Sequence, residues 1–355
     1  MKFYGKCVGF ACGLHYNHVK RNLIPMRHDD LKLWVTRILK TGEFQLSAAS
    51  SDASFRRYWR IQHRDRSYIV MDAPPEQENC EAFIDIAKRL GEAGLNAPQV
   101  LAGDLAHGFL LLTDLGTRLY LDELRPANAG QLYSDALKAV VAMQVRADGR
   151  GLPPYDRDLL KRETELFRRW LLTKELGLRL SAGRNASLDA TFAFLAEAAL
   201  SQPRVFVHRD FHSRNLLVGA GNSPGILDFQ DAVIGPATYD VVSLLRDCYI
   251  RWPRKQVEAW AAEYYRRALD HGILSGVSLT AFYRWFDLMG VQRHLKASGI
   301  FARLWHRDAK RGYLNDIPRT LAHIADVSVR YPQLDSLHVL LVEEVIPAIN
   351  ERYAR

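Results

Sequence analysis

Residues 205–218 read Val-Phe-Val-His-Arg-Asp-Phe-His-Ser-Arg-Asn-Leu-Leu-Val. Two short apolar runs enclose a polar loop, and this pattern is typical of two buried strands joined by a turn. Asp210 and Asn215 lie in the loop, and Asp228 follows the next apolar run of the chain. We therefore predict that neighbouring strand ends bring these three polar side chains together.

The three residue types suit the transfer of a phosphoryl group to a hydroxyl. A carboxylate at the apex of a loop, Asp210, can accept the proton of the hydroxyl. Mg²⁺ prefers hard oxygen ligands, and Asn215 and Asp228 supply a carbonyl and a carboxylate. We predict Asp210 as the catalytic residue and the other two as metal ligands. Each residue alone is typical of an ordinary turn, but the joint spacing favours the catalytic interpretation.

Two further residues near this loop are predicted to be structural. His208 is expected to pack beneath the loop and to orient it. Asp240 ends the string Gly-Pro-Ala-Thr-Tyr-Asp at 235–240 and precedes a helical pattern. We predict that its carboxylate caps this helix and braces the catalytic loop.

The string His-Arg-Asp-x-x-x-x-Asn, followed by a strand and Asp-Phe, matches the catalytic and metal-binding parts of protein-kinase-like phosphotransferases. Together with residues 235–240 it resembles the aminoglycoside phosphotransferase and choline kinase superfamily. The resemblance implies an α+β, protein-kinase-like two-lobed fold with a small strand-rich N-lobe and a larger, mainly helical C-lobe. It also implies ATP and Mg²⁺ as cofactors. Six residues separate Asp228 from Gly235 and no Ala-Pro-Glu follows, so we expect a small-molecule acceptor rather than a peptide.

Three segments are predicted along the chain: a basic extension over 1–27, the N-lobe over 28–115 and the C-lobe over 116–355. The first 27 residues hold five Lys and Arg and no acid, so they carry +5 of the total charge of +8. We expect this extension to lie outside the folded protein. The patterns of the N-lobe predict a helix from Asp29 that stops at Gly42, strands over 54–62 and 67–71, a helix over 78–90, and strands over 100–103 and 108–113.

The expected phosphate-binding loop, Ser47–Phe55, has small residues but no glycine. Its backbone N–H groups can still hold phosphate oxygens, and Ser51 and Ser54 add hydroxyl donors. A simple polar linker is an equally good interpretation of this segment. We predict nucleotide contacts by both serines, and contacts of the adenine with the backbone of the inter-lobe hinge near Thr113 and Leu115.

Met71 stands where a phosphate-pairing lysine is expected on the third strand. Another cation must then neutralise the phosphates, and we predict that Arg56 or Arg57 does so. A pseudokinase remains an alternative because of this loss, although Asp210 and its partner residues are present.

Four segments resemble one branch of the superfamily, the bacterial anomeric kinases of N-acetylmuramate and N-acetylglucosamine: 54–60, 208–215, 243–249 and 289–296. The resemblance implies phosphorylation of the C1 hydroxyl of these amino sugars to the α-1-phosphate, in the recycling of cell-wall peptidoglycan. A kinase of an aminoglycoside or an amino alcohol is the alternative. We predict that His212, Asp247, Arg293 and His294 bind the substrate, the cations by reading a lactyl carboxylate or sugar hydroxyls.

The charge distribution agrees with an acidic or neutral acceptor. Residues 117–355 hold 33 basic and 27 acidic side chains, whereas a kinase of polycations would do better with an acidic lobe. The aromatic and basic string Phe55–Arg60 raises nucleic-acid binding as a second class of function. On a strand its members alternate between two faces, so they do not form one stacking platform, and we predict no nucleic-acid partner.

The cysteine content and the hydropathy of the sequence indicate in which cellular compartment the protein works. The chain has four cysteines and no Cys-x-x-Cys pair, which favours a reducing cytoplasm over a disulfide-stapled secreted protein. No stretch approaches the roughly 18 apolar residues of a spanning helix, so we predict no membrane association. We expect a cytoplasmic monomer.

Overall fold

The computed structural model describes residues 27–51, 55–219 and 224–353. The predicted extension over 1–27 lies, except for Arg27, outside these residues. The chain divides into two compact units. The first comprises the residues up to Cys80 together with Val100–Asp114, and the second comprises Glu81–Gln99 and the chain from Leu115 onward.

The first unit is a five-stranded antiparallel sheet in the order β1-β2-β3-β5-β4, accompanied by one helix. Trp34 and Val35 of the helix pack against Ile61, Val70 and Phe109 of the sheet, which buries one face of each. The elements are α1 (27–39), β1 (Gln45–Ser51), β2 (Arg57–His63), β3 (Arg66–Asp72), β4 (Val100–Asp104) and β5 (Phe109–Thr113). The predicted hairpin is thus confirmed as β2 and β3.

Two local predictions for this unit are wrong. The first helix ends at residue 39 and Lys40 takes the left-handed conformation with φ of 54°, so the helix stops before Gly42. The expected loop Ser47–Phe55 begins with a strand, because Ser47–Ser51 belong to β1 and pair with β2. Serine and alanine have low strand propensity, so the sequence does not predict a strand here. The strand forms because the edge of β2 supplies backbone hydrogen-bonding partners.

The second unit is mainly helical and is built around one long helix, α9, that contacts five other α-helices. Its helices are α2 (Cys80–Glu92, whose first residue belongs to the first unit), α3 (Tyr120–Glu123), α4 (Ala129–Arg146), α5 (Arg157–Leu166), α6 (Ala182–Leu200), α7 (Tyr239–Leu245), α8 (Arg254–Asp270), α9 (Leu279–Asp308), α10 (Ile317–Ser328), α11 (Asp335–Leu340) and α12 (Ile346–Tyr353). Short π- and 3₁₀-helical segments connect them: Phe167–Glu175, Arg311–Asp316, Pro332–Leu334 and Leu341–Val345.

Glycine allows the long helix to approach the end of α5 closely. A Cβ atom added to Gly299 of α9 would lie 2.2 Å from the carbonyl carbon of Leu166 and 2.5 Å from its oxygen. Any larger side chain would therefore push the two helices apart. None of the helices in the described segments is long and apolar enough to cross a membrane.

Two small antiparallel sheets interrupt the helices and carry the polar loop identified in the sequence. The strand β6 (Arg204–Val207) pairs with β9 (Val233–Pro236), and β7 (Leu216–Leu217) pairs with β8 (Gly225–Ile226). The loop runs from the end of β6 to the start of β7, so a different sheet anchors each of its ends.

A pair of stacked imidazoles in the helical unit predicts acid sensitivity. The rings of His294 and His323 lie 4.8 Å apart. Burial, with the nearby charge of Arg246, lowers the pKa of His323 to about 3 from an ordinary value of 6.5. As the pH falls, the unfolded chain protonates His323 near pH 6.5, whereas the folded chain does so only near pH 3. The contribution of His323 to the free energy of unfolding is therefore complete above pH 6.5 and is lost as the pH falls toward 3. Between pH 7 and 5 the loss should be about 2 kcal/mol, at about 1.4 kcal/mol per pH unit below 6.5.

Urea unfolding of the wild type and of His323→Gln at pH 7 and pH 5 measures this loss. We expect the variant to lose about 2 kcal/mol less than the wild type over this interval. The exposed His271, replaced in the same way, serves as the control and should leave the pH dependence unchanged. Equal losses in the wild type and His323→Gln would contradict the prediction.

Candidate active site

The catalytic loop, residues 208–215, is held at its start by a buried carboxylate. Asp240 accepts hydrogen bonds from the backbone N–H of His208 at 2.7 Å and of Arg209 at 3.0 Å. Arg209 has φ of 78°, a left-handed conformation that an arginine keeps only when its surroundings fix it. The helix α7 begins at Tyr239, so Asp240 lies in its first turn and does not cap it. Burial raises the pKa of Asp240 to about 7, although the two backbone N–H groups stabilise the carboxylate and lower the pKa in part.

The side chain of Arg209 is tied to a buried glutamate that the sequence analysis missed. Glu163 of α5 accepts from Arg209, from the Tyr155 hydroxyl and from Lys296, whose Nζ lies 3.0 Å away. Lys296 also donates to the Tyr239 hydroxyl at 2.9 Å. Burial alone would raise the pKa of Glu163, but the charges of Lys296 and Arg209 outweigh it and lower the pKa. The glutamate is therefore ionised and fixes the residue next to Asp210.

His208 lies beneath the loop and is fully buried, as expected from the sequence. Its Nδ1 accepts a hydrogen bond of 3.2 Å from the backbone N–H of Asp210. Burial lowers the pKa of His208 to about 4, so the ring is neutral near pH 7 and Nδ1 can act as an acceptor. The histidine thus orients the backbone of Asp210.

Asp210 stands in a strongly cationic environment. Burial alone would raise its pKa, but the charges of Lys296, Arg209 and Arg293 outweigh it and hold the pKa below the ordinary value of 3.8. The carboxylate is therefore ionised at neutral pH. It can accept a hydrogen bond from a hydroxyl group and orient that hydroxyl for attack.

Asn215 and Asp228 are neighbours, because β7 and β8 start and end beside each other. The Leu227 N–H donates to the Asn215 carbonyl at 2.9 Å. The Asn215 side-chain nitrogen donates to the Asp210 carbonyl at 3.0 Å and to Asp228 Oδ2 at 3.3 Å. Asp228 has φ of 61° and its Oδ1 accepts from Gln230 at 2.8 Å. All three residues predicted for chemistry are thus within one hydrogen-bonded group.

This group suits Mg²⁺ better than a metal held by the protein alone. Across the described chain, no group of three or more His, Cys, Asp or Glu could hold a metal ion. Both side-chain hydrogen bonds of Asn215 are donated by its amide nitrogen. The amide oxygen is then available to bind a cation beside the Asp228 carboxylate. Mg²⁺ is commonly bound through one or two such ligands together with phosphate oxygens of the substrate. The donor set therefore fits a cation that arrives with a nucleotide.

Two of the residues predicted to bind substrate are buried, His212 in the catalytic loop and Arg293 on α9. His212 is 8% exposed, packs edge-on to Tyr249 with ring centres 5.3 Å apart, and its Nδ1 has no hydrogen-bond partner in the described part of the chain. Burial lowers the pKa of His212. Arg293 is 5% exposed and donates to Cys248 Sγ at 3.4 Å, with no carboxylate within 4 Å among the described residues. Asp247 and Asp210 stabilise its charge from further away, and a buried guanidinium that no carboxylate contacts directly is typical of a cation that binds a ligand.

The polar side-chain atoms of the other two residues predicted to bind substrate, Asp247 and His294, contact backbone groups. Asp247 accepts from the N–H groups of Ser213 and Tyr249, both at 2.9 Å, and so braces the catalytic loop. His294 faces the carbonyl oxygens of Gly290 and Arg246 with its two ring nitrogens. A substrate therefore has no ring nitrogen of His294 left to bind.

The residues predicted to bind the nucleotide belong, except for Leu115, to the first unit. Arg56 is buried and forms an ion pair of 2.9 Å with Glu78, whereas Arg57 begins β2 and is exposed. Consecutive residues of an extended chain point to opposite sides, which explains the difference. Ser51 ends β1 and Thr113 ends β5, and Ser54 lies outside the described residues.

Comparison with known proteins agrees with this geometry. A family model described as "Phosphotransferase enzyme family" matches residues 45–286. A protein of Pseudomonas putida named N-acetylmuramate/N-acetylglucosamine kinase is 48% identical over 298 residues, which cover 84% of this chain and 88% of the relative. A protein of the same name from Pseudomonas aeruginosa is 49% identical with the same coverage of both chains.

Among solved structures, a choline/ethanolamine kinase family protein from Mesorhizobium loti has a TM-score of 0.61 at 14% identity, covering 88% of this chain and 99% of the other. At this identity the likeness concerns the fold, and it confirms the predicted α+β, protein-kinase-like class. The family match spans both the sheet of the first unit and the loop that carries Asp210, Asn215 and Asp228. The chain belongs to the phosphotransferase enzyme family.

Proposed function

We propose that this protein is an ATP-dependent kinase that phosphorylates the C1 hydroxyl of N-acetylmuramate and N-acetylglucosamine. The observation that carries the proposal is the hydrogen-bonded group of Asp210, Asn215 and Asp228, which supplies an ionised carboxylate next to a cation-binding pair. The names of relatives at 48% and 49% identity support the choice of these amino sugars as acceptors. The product would be the sugar α-1-phosphate.

Asp210 acts at the attacking hydroxyl. It accepts a hydrogen bond from the C1 hydroxyl, aligns the oxygen with the γ-phosphorus of ATP, and takes the proton as the new O–P bond forms. The bond between the γ-phosphorus and the β–γ bridging oxygen breaks, and ADP leaves. Because the pKa of Asp210 is low, alignment of the hydroxyl contributes more than strong basicity.

Asn215 and Asp228 would hold Mg²⁺ through an amide oxygen and a carboxylate oxygen. Mg²⁺ bound there would supply a positive charge that offsets the negative charge developing during transfer. Asp228 brings the negative charge of the pair and is the more important ligand of the two. Its left-handed backbone conformation turns the chain directly after β8.

Further residues are proposed to bind the nucleotide and the sugar. For ATP we propose Ser51, Ser54, Arg56 and Arg57 for the phosphates, with Thr113 and Leu115 beside the adenine. The ion pair of Arg56 with Glu78 makes the exposed Arg57 the better candidate for a phosphate. For the sugar, the buried Nδ1 of His212 and the buried guanidinium of Arg293 support direct contact, whereas Asp247 would act by bracing the loop.

The proposed setting is the recycling of cell-wall amino sugars in the bacterial cytoplasm, by a monomer without a nucleic-acid partner. Phosphorylation of a free amino sugar at C1 yields a product suited to later nucleotidyl transfer. The low cysteine content of the chain supports the cytoplasmic setting.

Mg²⁺-dependent release of ADP tests the function directly. The purified protein is assayed with N-acetylmuramate, N-acetylglucosamine, choline, ethanolamine and an aminoglycoside, and NMR identifies the phosphorylated position. We expect ADP release with the two amino sugars and a phosphate on C1 in the α configuration. Turnover with choline or an aminoglycoside and none with the sugars would contradict the proposal.

A further inference from the structure

Arg214 lies in the catalytic loop directly before Asn215, and its guanidinium has no hydrogen-bonded partner among the residues that the structure describes. Its central carbon is 3.8 Å from the centre of the Tyr249 ring and 5.4 Å from that of Tyr313. The side chain is 38% exposed and makes no hydrogen bond within the described residues. Stacking on an aromatic ring holds a guanidinium by its face and leaves the N–H donors in its plane for a ligand.

The charges around Arg214 leave room for one more anion. The carboxylate found within 4 Å of it, in the part of the chain that is described, is that of Asp316 at 3.8 Å, which is too far for a hydrogen bond. Asp316 instead accepts from Arg319 at 3.0 Å, and Arg319 also donates to the carbonyl of Cys248. Two guanidinium groups thus share one carboxylate, so Arg214, Arg319 and Asp316 together carry a net charge of +1.

The position of Arg214 connects this charge to the reacting centre. The neighbouring Asn215 contacts the Asp210 carbonyl at 3.0 Å, and the preceding Ser213 is fixed through its N–H by Asp247 at 2.9 Å. Tyr249, which supports the guanidinium, also packs against His212. The arginine is therefore held on the same short loop as the catalytic carboxylate, next to a residue proposed to contact the sugar.

We propose that Arg214 binds the carboxylate of an acidic sugar and so sets the preference for acidic over neutral acceptors. This inference rests on the proposed function, in which both kinds of sugar are substrates. N-acetylmuramate is N-acetylglucosamine with a lactyl ether on O3, so it carries a carboxylate that N-acetylglucosamine lacks. A planar guanidinium with free in-plane donors binds such a group through two parallel hydrogen bonds.

Steady-state kinetics with three sugars test this proposal: N-acetylmuramate, its methyl ester and N-acetylglucosamine. In Arg214→Met, we expect the ratio of kcat/KM for N-acetylmuramate to that for N-acetylglucosamine to fall about 10- to 100-fold. Esterification removes the charge of the substrate, so it should lower kcat/KM of the wild type for this sugar by a similar factor. It should lower kcat/KM of Arg214→Met by less than about threefold. In Arg214→Lys, which keeps the charge but not the planar fork, the ratio should fall by an intermediate factor.

Arg169→Met is the matched control, because Arg169 is an exposed arginine beside an aromatic ring in the same unit. It should leave the ratio unchanged. An equal fall for both sugars in Arg214→Met, or an equal cost of esterification in wild type and variant, would overturn the assignment of Arg214. Wild-type turnover of N-acetylglucosamine alone would overturn it while leaving the sugar kinase intact. Turnover of neither sugar would overturn the proposed function and this inference with it.

Discussion

Replacement of Asp210 by asparagine is expected to lower kcat by about 10²- to 10⁴-fold. Asparagine keeps the shape of the side chain but offers the C1 hydroxyl neither a negative charge nor a proton acceptor. The bond from Asn215 goes to the backbone carbonyl of residue 210 and is retained. The variant should therefore fold, with a thermal midpoint within about 4 °C of the wild type.

Kinetics and thermal unfolding of Asp210→Asn are measured side by side with those of Asp158→Asn. Asp158 is an exposed aspartate in the first turn of α5, so its replacement should change neither quantity appreciably. If Asp210→Asn turned over amino sugars at a near-normal rate, Asp210 could not be the catalytic carboxylate.

Helices and strands could be predicted where apolar residues recur at a regular spacing or where polar turn residues separate two apolar runs. The apolar runs on both sides of the catalytic loop are the strands β6 and β7, and the hairpin of β2 and β3 was visible from its polar turn. The partner of β6 could not be predicted, because β9 follows only after β7 and β8 in the sequence. β1 was missed for a different reason, since its serine and alanine residues have low strand propensity.

The spacing of Asp210, Asn215 and Asp228 was enough to predict that the three lie together, because one loop and one short hairpin connect them. Glu163 had no such signal, since its partners Tyr155, Arg209 and Lys296 come from separate parts of the chain. On α9, a helix buried nearly all round, periodicity does not tell which polar residues face the loop. That is why His294 was grouped with Arg293.

Replacement of Asp228 by asparagine is expected to lower kcat about 10²- to 10³-fold and to raise the Mg²⁺ concentration for half-maximal rate about tenfold, because the protein loses its charged ligand while the phosphates of ATP still bind the cation. Asparagine suits this position better than alanine. The residue has φ of 61°, a conformation that asparagine tolerates and that costs alanine about 1 kcal/mol or more. A loss of activity in Asp228→Asn therefore reports on the ligand and not on backbone strain.

Asp231→Asn provides the control three residues further along the same loop, where the side chain is exposed. Titration of the rate with Mg²⁺ at saturating ATP should give the same midpoint for this variant as for the wild type. Asp228 accepts from Gln230 and Asn215 with its two oxygens, and an asparagine has one acceptor oxygen, so a purely structural role would lower the thermal midpoint while leaving the Mg²⁺ midpoint in place. A shift of the Mg²⁺ midpoint in Asp228→Asn alone is the result that only a metal ligand produces, because the asparagine can keep the contact with Gln230 and loses the charge.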